Sequence, residues 1–387
     1  MLEFKDKPRT ISAFFYFHEP ESIGNAVIIN TLSFLAERFI IIIYTNQAEF
    51  LQSRMPEVQI ILVPDINLAE NSIFGMLSHW RRIAKILNSD KSEAVFIGHD
   101  SAPVALWLNK TCFQYVYQMH EMLGLDHKSG LSKIDQLIRE YVIIRGIRSS
   151  KANFVVSRSI IQYLSLRNCK NLYLTPHCVD LKKFSVPCYS EIHNAIFRKK
   201  EQGYFIVCYA GWISEERCLH LMLVSLSLAI MNDPKILFVI AGSDVHHTIK
   251  ISDYFREKNL EGNLLCMGKI DYNFIPGVIA LSDVGLSFLE DNRVYQMSPP
   301  QKVIEYMAAG KPVIANTIQT HSILIKNEYN GFLTDNDPAK ISEKILFLKE
   351  NREIYKSISQ NALKTASKSE TSEVYKEMEA VINNVLN

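Results

Sequence analysis

The chain has 387 residues, of which 48% are hydrophobic, and this is enough to fill two hydrophobic cores of ordinary domain size. Its 42 Lys and Arg residues nearly balance 41 Asp and Glu residues, so no overall field would draw it to nucleic acid. The N-terminus is too polar for a signal peptide, and uninterrupted apolar runs such as residues 39–44 are far too short to cross a bilayer. These features predict a cytoplasmic protein.

Short apolar runs recur through the first half of the chain, and each is continuous rather than alternating. This pattern is typical of strands buried on both faces of a parallel sheet. The runs are residues 11–17, 39–44, 59–63, 94–97, 115–119, 154–156 and 172–174. Segments with helical spacing, such as 25–37 and 73–87, lie between them. We therefore predict a doubly wound, Rossmann-like α/β domain over residues 1–185.

The same alternation restarts after the polar stretch 190–203, with predicted strands at 204–210, 236–241, 264–267, 284–288 and 312–315. This predicts a second Rossmann-like domain over residues 186–387, joined by a linker around 185–203. The chain ends in helical segments at 338–351 and about 352–386. In two-lobed folds such a final helix can pack back on the first domain, although the sequence does not show that it does here.

The segment 298–315 reads as a loop, a helix, a glycine that ends the helix and a buried strand. A helix entered through Pro299 and Pro300 presents free backbone N–H groups and a positive dipole end, which together favour a diphosphate. Lys302 lies in the first turn, and Glu305 follows one turn later, where it could accept hydrogen bonds from ribose hydroxyls. The alternative interpretation is a surface helix on which these two residues form an i, i+3 pair.

This block resembles the donor-binding signature of the group 1 (family 4) glycosyltransferases of the GT-B fold, particularly the bacterial enzymes of cell-surface polysaccharides. Further segments follow in the family's order, at 175–184, 209–217, 238–242, 268–283 and 330–335. The resemblance covers most of residues 172–340 and depends mainly on architecture over residues 1–170. It implies two domains that face each other across a cleft, with a nucleotide sugar bound by the C-terminal domain and the acceptor held mainly by the N-terminal domain.

The resemblance also implies roles for individual residues. Glu305 would bind the ribose. Lys302, Arg217 and the backbone of Gln301 would bind the diphosphate, and the backbone of the turn at 268–270 would bind the base. The donor-binding candidates are Gly24, Arg217, Gly268, Lys269, Ile270, Ser298, Gln301, Lys302 and Glu305. Three positions depart from the family pattern: Met297 stands where the family places a first Glu, Trp212 replaces an Arg, and Cys218 replaces a Gly.

In the N-terminal domain, His120 and Glu121 follow a predicted strand at the position of the family's catalytic-centre histidine. We take them as catalytic candidates that orient the acceptor or bond a donor hydroxyl, with a structural histidine as the alternative. His99 and Asp100 also follow a strand and are candidates for contacting the acceptor. Gly24 is equally well explained by a plain turn.

Asp335 and Asp337 have the spacing of an acidic metal-binding motif, but they precede Pro338, where a helix cap is expected. The sequence therefore predicts no metal and no cofactor. The basic, aromatic helix 73–87, which contains Trp80, is interpreted as a packed helix, with contact to a membrane and a lipid-linked acceptor as the alternative. The predicted activity is transfer of a sugar from a nucleotide-diphosphate donor to a glycan or lipid-linked acceptor, and the resemblance implies retention of configuration. A non-catalytic sugar-nucleotide-binding subunit and an epimerase remain alternatives.

Overall fold

The computed structural model describes residues 9–15, 26–63, 73–89, 92–98, 104–108, 114–119 and 133–387. These residues divide into two compact units. The first contains the described residues up to Pro176 together with Val374–Asn387, and the second is His177–Glu373.

The first unit contains a parallel sheet whose strands occur in the order β3-β2-β1-β4-β5-β6-β7. Its strands are β1 (Thr10–Phe14), β2 (Ile40–Thr45), β3 (Gln59–Leu62), β4 (Ala94–Ile97), β5 (Gln114–Met119), β6 (Ala152–Val155) and β7 (Leu172–Leu174). Its helices up to residue 176 are α1 (Ala26–Ala36), α2 (Ala48–Arg54), α3 (Ile73–Leu87), α4 (Lys133–Ser149) and α5 (Arg158–Ser165). All of the predicted strands of this domain are present. The inner strands are apolar and largely buried, as a two-sided core requires, whereas the edge strands β3 and β7 are only partly buried.

The second unit contains a parallel sheet in the order β10-β9-β8-β11-β12-β13. Its strands are β8 (Phe205–Ala210), β9 (Ile236–Ala241), β10 (Leu264–Cys266), β11 (Val284–Ser287), β12 (Val313–Asn316) and β13 (Gly331–Thr334). The helices from residue 177 onward are α6 (Leu181–Ser185), α7 (Asn194–Glu201), α8 (Leu219–Asn232), α9 (Val245–Glu257), α10 (Ile275–Leu281), α11 (Gln301–Ala308), α12 (Gln319–Leu324), α13 (Pro338–Glu350), α14 (Arg352–Ala366) and α15 (Thr371–Leu386).

Strand β8 illustrates why the apolar runs are continuous. Phe205, Val207 and Tyr209 enter the hydrophobic core on one face of the sheet. Ile206 and Cys208 enter the core on the other face. Both faces are covered by helices, so polar residues have no place within the strand. The predicted α/β class with two doubly wound sheets is confirmed.

Three features differ from the sequence-based expectation. The stretch expected as a linker contains helix α7, whose Ile196 is fully buried in the core of the second unit, and the two units divide between Pro176 and His177. The stretch 330–335, which was not among the predicted strands, contains β13, which pairs in parallel with β12. The final helical region is broken by a 3₁₀ turn at Ser367–Ser369. Helix α15 then contacts α1, where the ring centres of Phe34 and Tyr375 lie 4.8 Å apart.

The helix considered for membrane contact, α3, is packed against its own sheet. Trp80 is 4% exposed, and its ring centre lies 6.1 Å from that of Phe14 in an edge-on arrangement. The basic residues Arg81 and Arg82 are exposed on the opposite side. This is the packed helix with a solvated basic edge that the sequence favoured. None of the described helices is long and apolar enough to cross a bilayer.

Candidate donor-binding site

The carboxyl ends of β8 and β11 lie side by side at the centre of the second sheet, where the strand order reverses. Open parallel sheets of this kind bind ligands at such a switch point. Strand β8 continues into Gly211 and Trp212, and a 3₁₀ turn at Glu215–Arg217 then leads into α8. Strand β11 is followed by the loop that leads into α11. The two loops bring together most of the charged residues predicted from the sequence.

Helix α11 begins at Gln301 after Pro300, which has an extended backbone and supplies no side-chain cap. Its first N–H groups are therefore not satisfied by a cap, as an anion site at a helix N-terminus requires. Gly310 ends this segment with a φ of +66°, the left-handed conformation expected for the glycine after a helix.

Lys302 extends from the first turn of α11 toward the end of β8. Its Nζ lies 3.5 Å from the centre of the Tyr209 ring. A Cβ atom added to Gly211 would lie 2.8 Å from Nζ, and Gly211 also has a φ of +140°, so the position favours glycine on both counts. The glycine therefore permits the close approach of the lysine to the strand end.

Arg217 is half-buried, and its guanidinium lies 4.8 Å from the centre of the Tyr295 ring. The Tyr295 hydroxyl in turn donates to Glu216 at 3.0 Å. Within the described parts of the chain, neither Arg217 nor Lys302 has a carboxylate within ion-pairing distance. Two cations without an anionic partner are electrostatically unfavourable unless a ligand supplies negative charge.

The pKa values show the same imbalance. Burial lowers the pKa of Lys302 well below its ordinary value, and the charge of Arg217 lowers it further, while Glu305 offsets part of the effect. The charges of Lys302 and Arg217 also reach His321, whose pKa falls to about 4, mainly through burial. The charges of Lys302 and Arg217 thus act on the same region, and two such cations suit a diphosphate.

Glu305 lies one turn further along α11 and is only 1% exposed. Its Oε1 accepts a hydrogen bond of 2.7 Å from the hydroxyl of Tyr272. Burial raises the pKa of the Glu305 carboxyl, while the Tyr272 and Gln301 hydrogen bonds and the charge of Lys302 lower it. A buried carboxylate of this kind is suited to accepting hydrogen bonds from a ligand hydroxyl.

The remaining described donor-site candidates belong to the same unit and lie on loops, except Gln301, which begins α11. Gly268 follows β10 with a φ of +65°, and its carbonyl accepts from the Gly242 N–H at 2.7 Å. Lys269 lies 5.5 Å from the ring centre of Trp212, measured from Nζ. Ile270 packs against the core. Ser298 is buried, and Gln301 donates from Nε2 to the carbonyl oxygen of Cys178 at 2.8 Å.

The three departures from the family pattern have distinct structural settings. Met297 is 9% exposed, as a side chain packed into the protein. Trp212 is 39% exposed beside Lys269, so it presents a ring rather than a guanidinium. Cys218 has a φ of 53° and a ψ of 44°, the left-handed region that a glycine occupies without strain.

Gly24, His99, Asp100, His120 and Glu121 lie outside the described residues. Of the acidic motif before α13, Asp337 is the N-cap and accepts from the Ala339 N–H at 2.9 Å. Tyr209, Tyr272, Tyr295 and His321 were missed by sequence reasoning. Of these four, Tyr209 could have been identified as a site residue, because it lies near the carboxyl end of a predicted buried strand.

Solved structures similar to the chain share its fold. A crystal structure of Anabaena HepE in complex with UDP and glucose aligns with a TM-score of 0.76 and 13% identity, over 97% of this chain and 100% of that one. Sucrose-phosphate synthase from Thermosynechococcus elongatus aligns with a TM-score of 0.72 and 15% identity, over 97% and 99%. WaaG, a glycosyltransferase involved in lipopolysaccharide biosynthesis, gives 0.70 and 10%, over 95% and 98%. No curated protein matches the chain by sequence.

The fold, together with a cationic site at the switch point of the second sheet, is that of a GT-B glycosyltransferase. Residues 192–365 match the family described as "Glycosyl transferases group 1". Over these residues the chain contains a domain similar to the group 1 glycosyltransferases, and the candidate site lies within this domain.

Proposed function

We propose that the protein transfers a sugar from a nucleotide-diphosphate sugar to a glycan or lipid-linked acceptor. The observation that carries the proposal is the pair of cations, Lys302 and Arg217, which lack a carboxylate partner among the described residues. Arg217 lies in the turn that follows β8, and Lys302 lies in the first turn of α11, one turn before the buried Glu305. This spacing suits a nucleoside diphosphate, whose ribose and phosphates are adjacent. The titles of three HepE structures name UDP, glucose and UDP-glucose as bound ligands.

The proposed mechanism is metal-independent and retains anomeric configuration. Lys302, Arg217 and the N-terminus of α11 would stabilise the negative charge that develops on the departing diphosphate. No resident cofactor is required in this scheme. His120 and Glu121 remain the proposed catalytic residues, His99 and Asp100 the proposed acceptor contacts, and Gly24 a proposed donor contact.

The proposed biological role is synthesis of cell-surface polysaccharide, on the cytoplasmic side of the membrane. The likeness to WaaG, whose title names lipopolysaccharide biosynthesis, supports an acceptor of this class. The exposed basic residues of α3 are the proposed contact with an anionic membrane surface.

The test is a thermal-shift screen against UDP-, GDP-, ADP- and dTDP-sugars in the presence of EDTA, because a ligand that binds only the folded state raises its stability. One donor class should stabilise the wild type and should fail to stabilise Glu305→Ala and Arg217→Ala. Arg256→Ala is the matched control, since Arg256 is exposed and pairs with Asp253 on α9. Stabilisation of all four proteins by the same donor would place the donor site elsewhere.

A non-catalytic sugar-nucleotide-binding subunit is the second candidate, and the settings of Met297 and Trp212 favour it. Both positions lack the charged group that the family pattern has there. Slow hydrolysis of the bound donor by the wild type would support the transferase. Donor binding with no turnover in the presence of any acceptor would favour the binding subunit.

A further inference from the structure

Tyr272, in a loop next to α11, donates a hydrogen bond to the carboxylate of Glu305. Tyr272 begins a 3₁₀ turn, Tyr272–Phe274, whose N-cap Asp271 accepts a hydrogen bond from the Asn273 N–H. The Tyr272 hydroxyl reaches Glu305 Oε1 at 2.7 Å. The turn is thus fixed by its own cap, and the tyrosine links it to α11.

Gln301, one turn before Glu305 on α11, connects this helix to the segment that contains Cys178. Its Nε2 donates to the carbonyl oxygen of Cys178, and this acceptor fixes which end of the amide is nitrogen. Its Oε1 is buried and has no hydrogen-bond partner among the described residues. The side chain is therefore anchored at one atom and retains one acceptor for a ligand.

We propose that Tyr272 is a positioning residue for donor binding: it fixes Oε1 of Glu305 so that Oε2, together with Gln301 Oε1, accepts hydrogen bonds from the ribose hydroxyls. This inference rests on the proposed function, because it assumes that Glu305 binds a ribose. It adds a residue outside the signature helix to the recognition of the nucleoside. It also assigns the side chain of Gln301, in addition to its backbone, to the donor site.

The electrostatic environment supports this role. Both oxygens of a carboxyl are strong hydrogen-bond acceptors while it is ionised, and burial opposes ionisation. The hydroxyl of Tyr272 is first among the groups that lower the pKa of Glu305, followed by Gln301 and the charge of Lys302. The pKa of Tyr272 itself is raised well above 10, by burial and then by Glu305, with smaller effects from Cys178 and Asp180. The phenol therefore stays a donor over the whole accessible pH range.

A purely structural role is the alternative, because the Tyr272 ring packs against the core of the second unit. Tyr272→Phe keeps this packing and removes only the hydroxyl. Tyr355→Phe is the matched control, since the Tyr355 hydroxyl donates to the Asp283 carbonyl at 3.0 Å, in a contact that does not involve Glu305. Both variants lose one tyrosine hydrogen bond, but only Tyr272→Phe loses the contact to Glu305. An effect on donor binding that is seen in Tyr272→Phe alone is therefore due to that contact.

The first measurement is a ¹³C NMR titration of the Glu305 carboxyl in the ligand-free protein, assigned with Glu305→Gln. We expect Tyr272→Phe to move the titration of Glu305 to higher pH and Tyr355→Phe to leave it unchanged. An unchanged Glu305 titration in Tyr272→Phe would overturn the proposal, whatever the nucleotide experiments show.

The second measurement is the affinity for UDP and for its 2′,3′-dideoxy analogue by calorimetry, with GDP and ADP as further probes. We expect Tyr272→Phe to weaken UDP binding about tenfold, the cost of one hydrogen bond to a charged group, and to lose preference for the ribose form. The effect should grow as the pH falls, and Tyr272→Phe should have no further effect in a Glu305→Gln background. If Tyr272→Phe prefers UDP over the dideoxy analogue as strongly as the wild type does, the positioning role is contradicted. If the wild type binds no nucleotide, the proposed function itself is contradicted.

Discussion

The ammonium nitrogen of Lys302 lies 3.5 Å from the centre of the Tyr209 ring, at the end of the central strand β8. The ring stabilises the cation without neutralising it, since a π face carries no net charge. A carboxylate in the same place would pair with the lysine and compete with a phosphate. The arrangement thus keeps the positive charge in place and available for an anionic ligand.

Replacement of Lys302 by Met is therefore expected to separate binding from stability. UDP affinity should fall by at least tenfold, because the variant lacks a charge-assisted contact to phosphate. The ligand-free protein should melt at the same temperature or higher, because one of two uncompensated cations is gone. Thermal unfolding with and without UDP tests both expectations. Lys235→Met is the control, since Nζ of Lys235 lies 4.7 Å from the centre of the Tyr204 ring on the exposed surface. A large loss of ligand-free stability in Lys302→Met alone would contradict this interpretation.

The lowered pKa of Lys302 predicts that UDP binding and stability respond to pH in opposite directions. The unfolded chain holds the Lys302 proton more tightly than the folded one, so this group's contribution to the free energy of unfolding rises with pH between the folded pKa and about 10.5. UDP binds the protonated form, so its affinity should fall as pH rises through the folded pKa. Calorimetry in two buffers of different ionisation enthalpy should detect proton uptake on binding. Lys302→Arg, which stays charged, should show none, and absence of uptake in the wild type at every pH would refute the linkage.

His321 predicts a separate loss of stability on acidification. It is fully buried, and its ring bridges Ser287 and the carbonyl oxygen of Asn316, at 2.9 Å on each side. The carbonyl can only accept, so Nδ1 carries the proton and Nε2 accepts from the serine. The folded pKa is about 4 against an ordinary value of 6.5, so stability is complete above pH 6.5 and declines by about 3 kcal/mol as pH falls toward 4.

Urea unfolding of the wild type and of His321→Gln at pH 7.5 and pH 5 measures this contribution. The substitution should destabilise the protein at pH 7.5, and the difference between the two proteins should shrink at pH 5. A difference that stays constant with pH would show that His321 does not titrate on unfolding.

Cys218 predicts a gain in stability when it is replaced by glycine. Its positive φ is unfavourable for any residue with a Cβ, by about 1 kcal/mol, and glycine adopts it without strain. Cys218→Gly should therefore be more stable than Cys218→Ala, which lacks the thiol but keeps the Cβ. The two variants should be compared by the melting transition of the second unit, because a two-domain chain need not unfold in a single step. Equal stability of the two would show that the left-handed conformation is not strained at this position.

Several parts of the site followed from local sequence. The placement of Lys302 and Glu305 on one helix depends only on their spacing. Gly310 was predicted to end that helix, and its φ of +66° is the left-handed conformation that this position requires. The strands followed from continuous apolar runs. Helix α7 was missed because its charged residues, Arg198, Lys199 and Lys200, resemble a linker, while a single buried Ile196 secures it to the core.

The sequence by itself determined the α/β class, the two sheets and the identity of the cationic and acidic residues of the donor site, since these depend on local periodicity and on residue type. Only the tertiary structure decided which groups surround them. Tyr272 and Glu305 are 33 residues apart, and Tyr209 and Lys302 lie on different elements, so no local pattern relates them. Their contacts depend on the parallel sheet order, which brings the ends of distant strands together. Burial and charge at that point then set the pKa values that the residue types alone would not have.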